Sequence, residues 1–258
     1  MASKILNLYK EIGETPLERF DRFRASNPEY KDIPLSYAGR LDPMAEGVMI
    51  VLVGEENKNR AAYLSLNKEY VFEVLFGFET DSCDLLGKVA ARDESEKSME
   101  PDFKNDINRA LEDFKGKYIQ EYPHYSSKPV KGLPLFEWAR AGKLDEIEIP
   151  KREVEVYEIK LEDFYAIPKE KLQERIPERI GKVNGDFRQK EIVEIWENVL
   201  RKSTRKEFAV AKIRISCGSG VYVRSIAQML GEKLGTKSLA ISIKRTRVGE
   251  WEINESLK

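Results

Sequence analysis

The chain of 258 residues contains a single histidine, His124, and two cysteines, Cys83 and Cys217. One histidine excludes the histidine clusters common in catalytic zinc sites and leaves room for no more than one histidine-based triad. Two cysteines make neither a disulfide framework nor a cysteine-rich zinc site, which points to a reducing compartment. Long apolar runs are missing too. The longest, near Val48 to Val53, falls far short of the roughly 20 residues that a membrane-spanning helix needs. The opening MASKILNLYKEIG has no signal-peptide hydrophobic region. A cytoplasmic protein without a membrane partner is expected. No internal repeat and no Gly/Ser- or Pro-rich linker divides the chain, so a single domain over residues 1–258 is expected.

Neither sign of charge dominates, with 44 Lys and Arg against 45 Asp and Glu. The distribution is uneven, however. From Arg201 to Lys258 there are thirteen basic and five acidic side chains, whereas the first 200 residues carry 31 basic and 40 acidic ones. Such asymmetry hints at a polyanionic partner, although charge alone favours a solvated face.

Strand patterns are clear in five places. Gly47–Gly54 is a short apolar run. Glu69–Phe78 alternates, with Tyr70, Phe72, Val74 and Phe76 on one face. Glu153–Ile167, Phe208–Gly218 and Leu239–Ile253 follow the same period of two. Helical spacing joins Phe103, Ile107, Leu111 and Phe114, then Ile192, Ile195, Trp196 and Val199, and finally Ile226, Leu230 and Leu234 ahead of a terminating Gly235. The order lacks a βαβ rhythm, so α+β with a mostly antiparallel mixed sheet flanked by helices is the expected class. The polar stretches 80–100 and 168–190 read as insertions or mobile segments.

Several motifs with chemical associations do not hold. Cys217–Val223 has a Gly-x-Gly after a strand, but Val223 stands where a dinucleotide fold needs its third glycine. Gly231–Ser238 resembles a phosphate loop, yet it follows a helix and has Thr236 in place of glycine. Asp81 and Asp84 are read as solvated loop acids and not as a Mg²⁺ site, and His124 as a surface or packing residue. Neither a metal nor a cofactor is expected. What remains is Tyr37–Lys58, YAGRLDPMAEGVMIVLVGEENK. Pro43 fixes its own φ and pushes Asp42 toward an extended conformation between Gly39 and Gly47, just before a strand. A carboxylate aimed by such a loop can act as nucleophile or base. Standing alone, the segment would read as a strand-capping turn.

Four further segments change that reading. Gly39, Leu41, Asp42, Pro43, Ala45, Gly47, Val48 and Met49 resemble the G-x-L-D-P-x-A-x-G-V-L loop of the TruB family of pseudouridine synthases. Lys68, Tyr70, Gly77, Thr80 and Asp81 match its K-x-Y…G-x-x-T-D segment, and Tyr122–Gly142 is similar to its P-x-Y-S-A-x-K…R-x-G stretch. Gly218–Gly235 and Lys244–Trp251 correspond to its last two signatures. All five lie in family order and together cover about two-thirds of the chain. The resemblance implies a pseudouridine synthase fold with inserted RNA-binding segments, here near 80–118 and 168–205.

The implied activity is cofactor-free isomerisation of a T-loop uridine in tRNA, by a monomer with no obligatory protein partner. It makes Asp42 the nucleophile and Arg224 its charge partner. Tyr70 and Tyr222 would contact the target uracil, with Tyr70 also taking part in proton transfer, and Tyr37 and Ile243 would finish the pocket wall. Lys128, Lys131, Arg140 and Arg245 become expected phosphate contacts, together with Lys143, Lys244 and Arg247. Departures touch substrate contacts more than chemistry. The family's K-P-x-G-x-T-S loop survives only as Lys10-Glu11-Ile12-Gly13-Glu14-Thr15-Pro16, and Tyr37 stands where a histidine is common. The sequence ends soon after Trp251, so the small C-terminal RNA-binding domain of many bacterial relatives is expected to be absent. Two other readings follow from the same residues: an RNA-binding folding helper with weak or no catalysis, and a synthase acting on another RNA.

Overall fold

The alternation seen in the sequence builds one central sheet in the computed structural model, which describes residues 4–258. In chain order the elements are β1 (Ile5–Lys10), α1 (Pro16–Ser26), β2 (Leu35–Ala38), β3 (Ala45–Val53), α2 (Arg60–Leu64), β4 (Lys68–Phe76), β5 (Phe78–Thr80), β6 (Val89–Arg92), α3 (Phe103–Glu112) and β7 (Gly116–Glu121). Then come β8 (Pro129–Val130), β9 (Leu133–Pro134), α4 (Leu135–Arg140), β10 (Lys151–Pro168), α5 (Lys169–Gly181), α6 (Gln189–Lys202), β11 (Glu207–Cys217), α7 (Val223–Leu234), β12 (Ser238–Val248) and β13 (Trp251–Glu252). Strand order in the main sheet is β1-β3-β12-β4-β11-β10-β7, with β2 added to β3 and β13 to β12. Every pairing in it is antiparallel except β12 with β3. That one parallel pair sets Ile243 opposite Ala45 and Arg245 opposite Gly47. It thereby lays the Asp42 loop against the centre of the sheet.

Period-two patterning sends alternate residues of the central strands to different cores. Tyr70, Phe72, Val74, Ala209, Ala211 and Ile213 pack under α3 and α7. Leu75, Phe208, Val210, Leu239 and Ile241 face the other way, toward α5 and α6. At the β1–β3 end, Phe20 and Phe23 of α1 cover Leu6, Leu8, Met49 and Val51. Among the described residues no helix is long and apolar enough to cross a membrane.

Both polar stretches, read from the sequence as insertions or mobile segments, form regular structure. Residues 80–92 form a short turn and the β5–β6 hairpin, with Thr80, Ser82, Asp84, Leu85 and Leu86 buried. The 168–190 stretch supplies α5, whose Leu172, Ile176 and Ile180 pack with Ile192, Trp196 and Leu200 of α6 as a helical hairpin against the sheet. Its apolar residues recur every four positions among charged ones, so a polar overall composition conceals a buried stripe. Gly249 ends the last strand early, dividing the expected Leu239–Ile253 strand into β12 and β13.

Candidate active site

The Asp42 turn is held from beneath. Its first bond is internal, from the Ala45 N–H to the Asp42 carbonyl at 3.0 Å. The fully buried Lys10 ammonium donates to the Ala45 carbonyl at 2.7 Å and the Glu11 carbonyl at 3.0 Å, and the Gly13 N–H donates to the Pro43 carbonyl at 2.9 Å. Burial lowers the Lys10 pKa to about 8, a loss that Asp42 and other carboxylates only partly offset. Arg245 lies on the far side, donating from Nε to the Val48 carbonyl at 2.7 Å and from Nη2 to the Gly39 carbonyl at 3.0 Å. At Gly47, with φ +110°, a Cβ would overlap the Arg245 backbone carbonyl, so no other residue fits this crossing.

Arg224, in the first turn of α7, is buried and locked by three bonds. Its Nε donates to Asp42 Oδ2 at 2.9 Å, Nη1 to the Ser82 carbonyl at 2.6 Å and Nη2 to the Tyr125 carbonyl at 3.0 Å. Burial by itself would weaken its hold on the proton, but Asp42 and Asp84 outweigh this and keep the guanidinium charged. The Asp42 side chain is one-third exposed while that of Arg224 is 3% exposed. A carboxylate so tethered at Oδ2 presents its other oxygen to the cavity. Near it, Tyr222 is fixed at both backbone groups by Gln120 of β7. Its N–H donates to Gln120 Oε1 at 2.8 Å and its carbonyl accepts from Nε2 at 3.2 Å.

These groups converge on a cavity of about 840 Å³. Asp42, Tyr70, Tyr222, Arg224 and Ile243 line it together. Burial pushes the Tyr70 phenol pKa up despite the neighbouring Arg245, so the hydroxyl keeps its proton at neutral pH. Arg140 also reaches the cavity. Three other cations, Lys68, Arg152 and Arg245, line it as well. Among the described residues none of the three has a carboxylate within 4.0 Å. Burial, with Arg245 and Arg152 adding repulsion, lowers the Lys68 pKa to about 8.

Other expected contacts lie elsewhere. Tyr37 lies outside the lining, its ring 6.1 Å from that of Phe20 and covered by Arg60. Antiparallel pairing of β2 with β3 turns it toward the α1 core, so it does not finish the pocket wall. Arg245, only 1% exposed, serves as a loop brace and does not lie on an outer face where a phosphate would meet it. Lys128 and Lys131, at the β8–β9 hairpin, are not among the residues lining the cavity. Lys128 is 5.3 Å from the Tyr122 ring centre, and Lys131 donates to the Glu146 carbonyl at 2.9 Å. Lys143, Lys244 and Arg247 pair with Glu146, Glu46 and Glu69 respectively.

Asp84, read from the sequence as a solvated loop acid, is a correction. It is buried and accepts at Oδ1 from the Ser82 hydroxyl at 2.6 Å and the Leu86 N–H at 3.0 Å, so it is no solvated acid. Desolvation pushes its pKa up to about 6 against the pull of Arg224. Asp81 is also engaged, accepting from the Tyr125 hydroxyl at 2.9 Å and the Lys88 N–H at 2.8 Å.

Comparison with solved structures identifies this architecture. The chain superposes on a Cbf5-Nop10-Gar1 complex with a TM-score of 0.54 at 18% identity, covering 96% of this chain and 49% of that one. An H/ACA RNP bound to a substrate RNA containing 2′-deoxyuridine gives 0.52 at 17%, with 96% and 48% covered. The chain thus spans about half the length of those chains, and at this identity the likeness defines a shared fold. A tRNA pseudouridine synthase B of Borreliella afzelii (strain PKo) is 30% identical over 257 residues, 99% of this chain and 73% of the relative. One of Francisella tularensis subsp. novicida (strain U112) is 27% identical over 222 residues, 86% and 58% respectively. The profile of the TruB family pseudouridylate synthase (N-terminal domain) matches residues 31–176. The chain belongs to the TruB family.

Proposed function

We propose that this chain isomerises a uridine in the T-loop of tRNA to pseudouridine, with Asp42 as the nucleophile. The observation that carries the reading is the Asp42–Arg224 pair at 2.9 Å inside a cavity walled by Tyr70, Tyr222 and Ile243. The relatives named tRNA pseudouridine synthase B support tRNA as the substrate. The reaction breaks the N-glycosidic bond, turns the base and rejoins it through C5, with no redox change and no group donor. An ionised aspartate needs no activating base, and the Arg224 tether leaves it one oxygen with which to form a bond to the nucleotide. Collapse of that adduct after the base has turned restores the carboxylate; the C5 proton leaves, and N1, freed from the sugar, takes one up. Tyr70, held protonated by burial, is suited to stack on the uracil and to relay the C5 proton to water.

The base must first leave a folded loop, at a cost of a few kcal/mol that stacking and backbone contacts offset. Tyr222 and Tyr70 supply the flat faces, and Lys68, Arg152 and Arg140 the unpaired positive charge. The test is incubation of the protein with unmodified tRNA carrying tritium at uridine C5, alongside an isolated T-arm stem-loop. Isomerisation releases the label from both substrates. Binding without release would leave an RNA-binding folding helper, and release only from a different RNA would replace the substrate.

A further inference from the structure

The family profile ends at residue 176, yet the connector between α5 and α6, residues 182–188, reaches the cavity. Asp186, Phe187 and Arg188 form part of its wall, beside Tyr125, Phe136 and Arg140. The connector is fixed at two places. The Asn184 N–H donates to the Gly13 carbonyl at 3.2 Å, and the Arg140 Nη2 donates to the Asp186 carbonyl at 3.3 Å. Gly13, in turn, bonds Pro43 beside Asp42.

Arg188 is the unusual residue in this wall. Its φ is +63°, a left-handed conformation that costs a non-glycine residue about 1 kcal/mol. Its guanidinium stacks 4.9 Å from the centre of the Tyr125 ring, and its Nε is buried without a hydrogen-bond partner. The nearest carboxylate oxygen, Asp81 Oδ2 at 3.8 Å, already accepts from the Tyr125 hydroxyl at 2.9 Å. Arg140, in the same wall, has no carboxylate within 4.0 Å among the described residues and stacks 5.7 Å from the Phe136 ring. Two guanidinium groups, each stacked on a ring and each with donors left over, are therefore held on one side of the cavity. Their forked geometry matches the oxygens of a phosphate diester.

We propose that Arg188, with Arg140, forms a phosphate-binding subsite in the cavity wall built by the α5–α6 connector, taking a backbone phosphate of the substrate strand next to the target nucleotide. This rests on the RNA substrate proposed above. Glycine would be the easier residue at this left-handed position; arginine there holds its guanidinium over the Tyr125 ring at the cavity wall.

Replacing Arg188 by glycine removes the cation and relieves the backbone, so the fold survives and its thermal midpoint holds or rises. Binding of a T-arm stem-loop to wild type, Arg188→Gly, Arg188→Lys and the remote control Arg201→Gln is measured across a salt series, with tritium release recorded for each. Arg188→Gly is expected to weaken binding about tenfold, as loss of one charged hydrogen-bonded contact does. Its log–log salt slope should be smaller by about 0.7 to 0.9. Most of the loss in kcat/KM should fall on KM. Arg188→Lys should keep the slope, and Arg201→Gln should match wild type. A slope in Arg188→Gly equal to wild type, while wild type binds and releases label, overturns the subsite and leaves the proposed function standing. Failure of wild type to release label counts against the proposed function instead. If wild type then binds without release, the slopes still decide the subsite.

Discussion

Asp84→Asn is predicted to stabilise the protein at neutral pH, although it removes a charge that faces Arg224. Burial lifts the Asp84 pKa from the ordinary 3.8 to about 6, even with Arg224 and two hydrogen bonds favouring the charged form. A raised folded pKa means that between about pH 4 and pH 6 the native chain holds a proton that the unfolded chain has released. Stability contributed by this group is therefore fullest below about pH 4 and is lost as the pH rises through about 6. At 1.36 kcal/mol per pKa unit the full cost at pH 7 is about 3 kcal/mol. Asparagine keeps an acceptor for the Ser82 hydroxyl and the Leu86 N–H, so it mimics the protonated acid. The variant should be more stable than wild type by about 2–3 kcal/mol at pH 7 and nearly equal to it near pH 4. Urea unfolding of both proteins at a series of pH values gives the difference directly, since every other titrating group is common to the two. A difference that does not change with pH, or an Asn variant less stable at pH 7, would refute the reasoning.

Other consequences follow from the same geometry. Lys68, held in its charged form only up to about pH 8, should make kcat/KM for RNA fall above that pH, as a cation facing a polyanion is lost. The decline should be shallower in Lys68→Met, and an unchanged pH profile would remove Lys68 from substrate binding. Arg224→Lys keeps the charge but loses the fork that spans Asp42, Ser82 and Tyr125, so turnover should drop about a hundredfold or more in single-turnover assays. Near-normal turnover would reduce Arg224 to a structural residue. Trp196 is fully buried with its indole N–H unpartnered, so Trp196→Phe discards an orphaned donor along with some apolar surface. It should cost less than about 1.5 kcal/mol in urea unfolding where Trp196→Ala costs about 3–5 kcal/mol.

The central sheet is legible in the sequence because its strands are long and alternate cleanly. Glu69–Phe78 and Phe208–Gly218 correspond to β4 and β11, with the faces that their patterns require. Helix α1 escapes a reading based on apolar periodicity even though Thr15-Pro16-Leu17-Glu18 carries a capping box, with Glu18 bonding the Thr15 N–H and Thr15 bonding the Glu18 N–H. The loop around Gly13 stands out as a divergent family motif, which masks its local role as a helix start. Asp42, Arg224, Tyr70, Tyr222 and Ile243, placed through family motifs, do converge on one cavity. Gln120 lies outside the motifs, and the roles of Asp84 and Tyr125 stay hidden because each acts through contacts to residues far away in the sequence, which spacing does not encode. Tyr37 and Arg245 depart from expectation for a related reason. Motif position gives the strand, but the register between β3 and its neighbours decides which side a ring or a guanidinium occupies.

One side chain carries the proposed chemistry. Asp42→Asn keeps the shape of the loop and its bond from Arg224 while removing the nucleophile. With C5-tritiated tRNA at saturation, wild type is expected to release label to completion. The variant should release none, while binding the same tRNA within about tenfold of wild type. Release by Asp42→Asn above a few per cent of the wild-type rate would contradict Asp42 as the nucleophile.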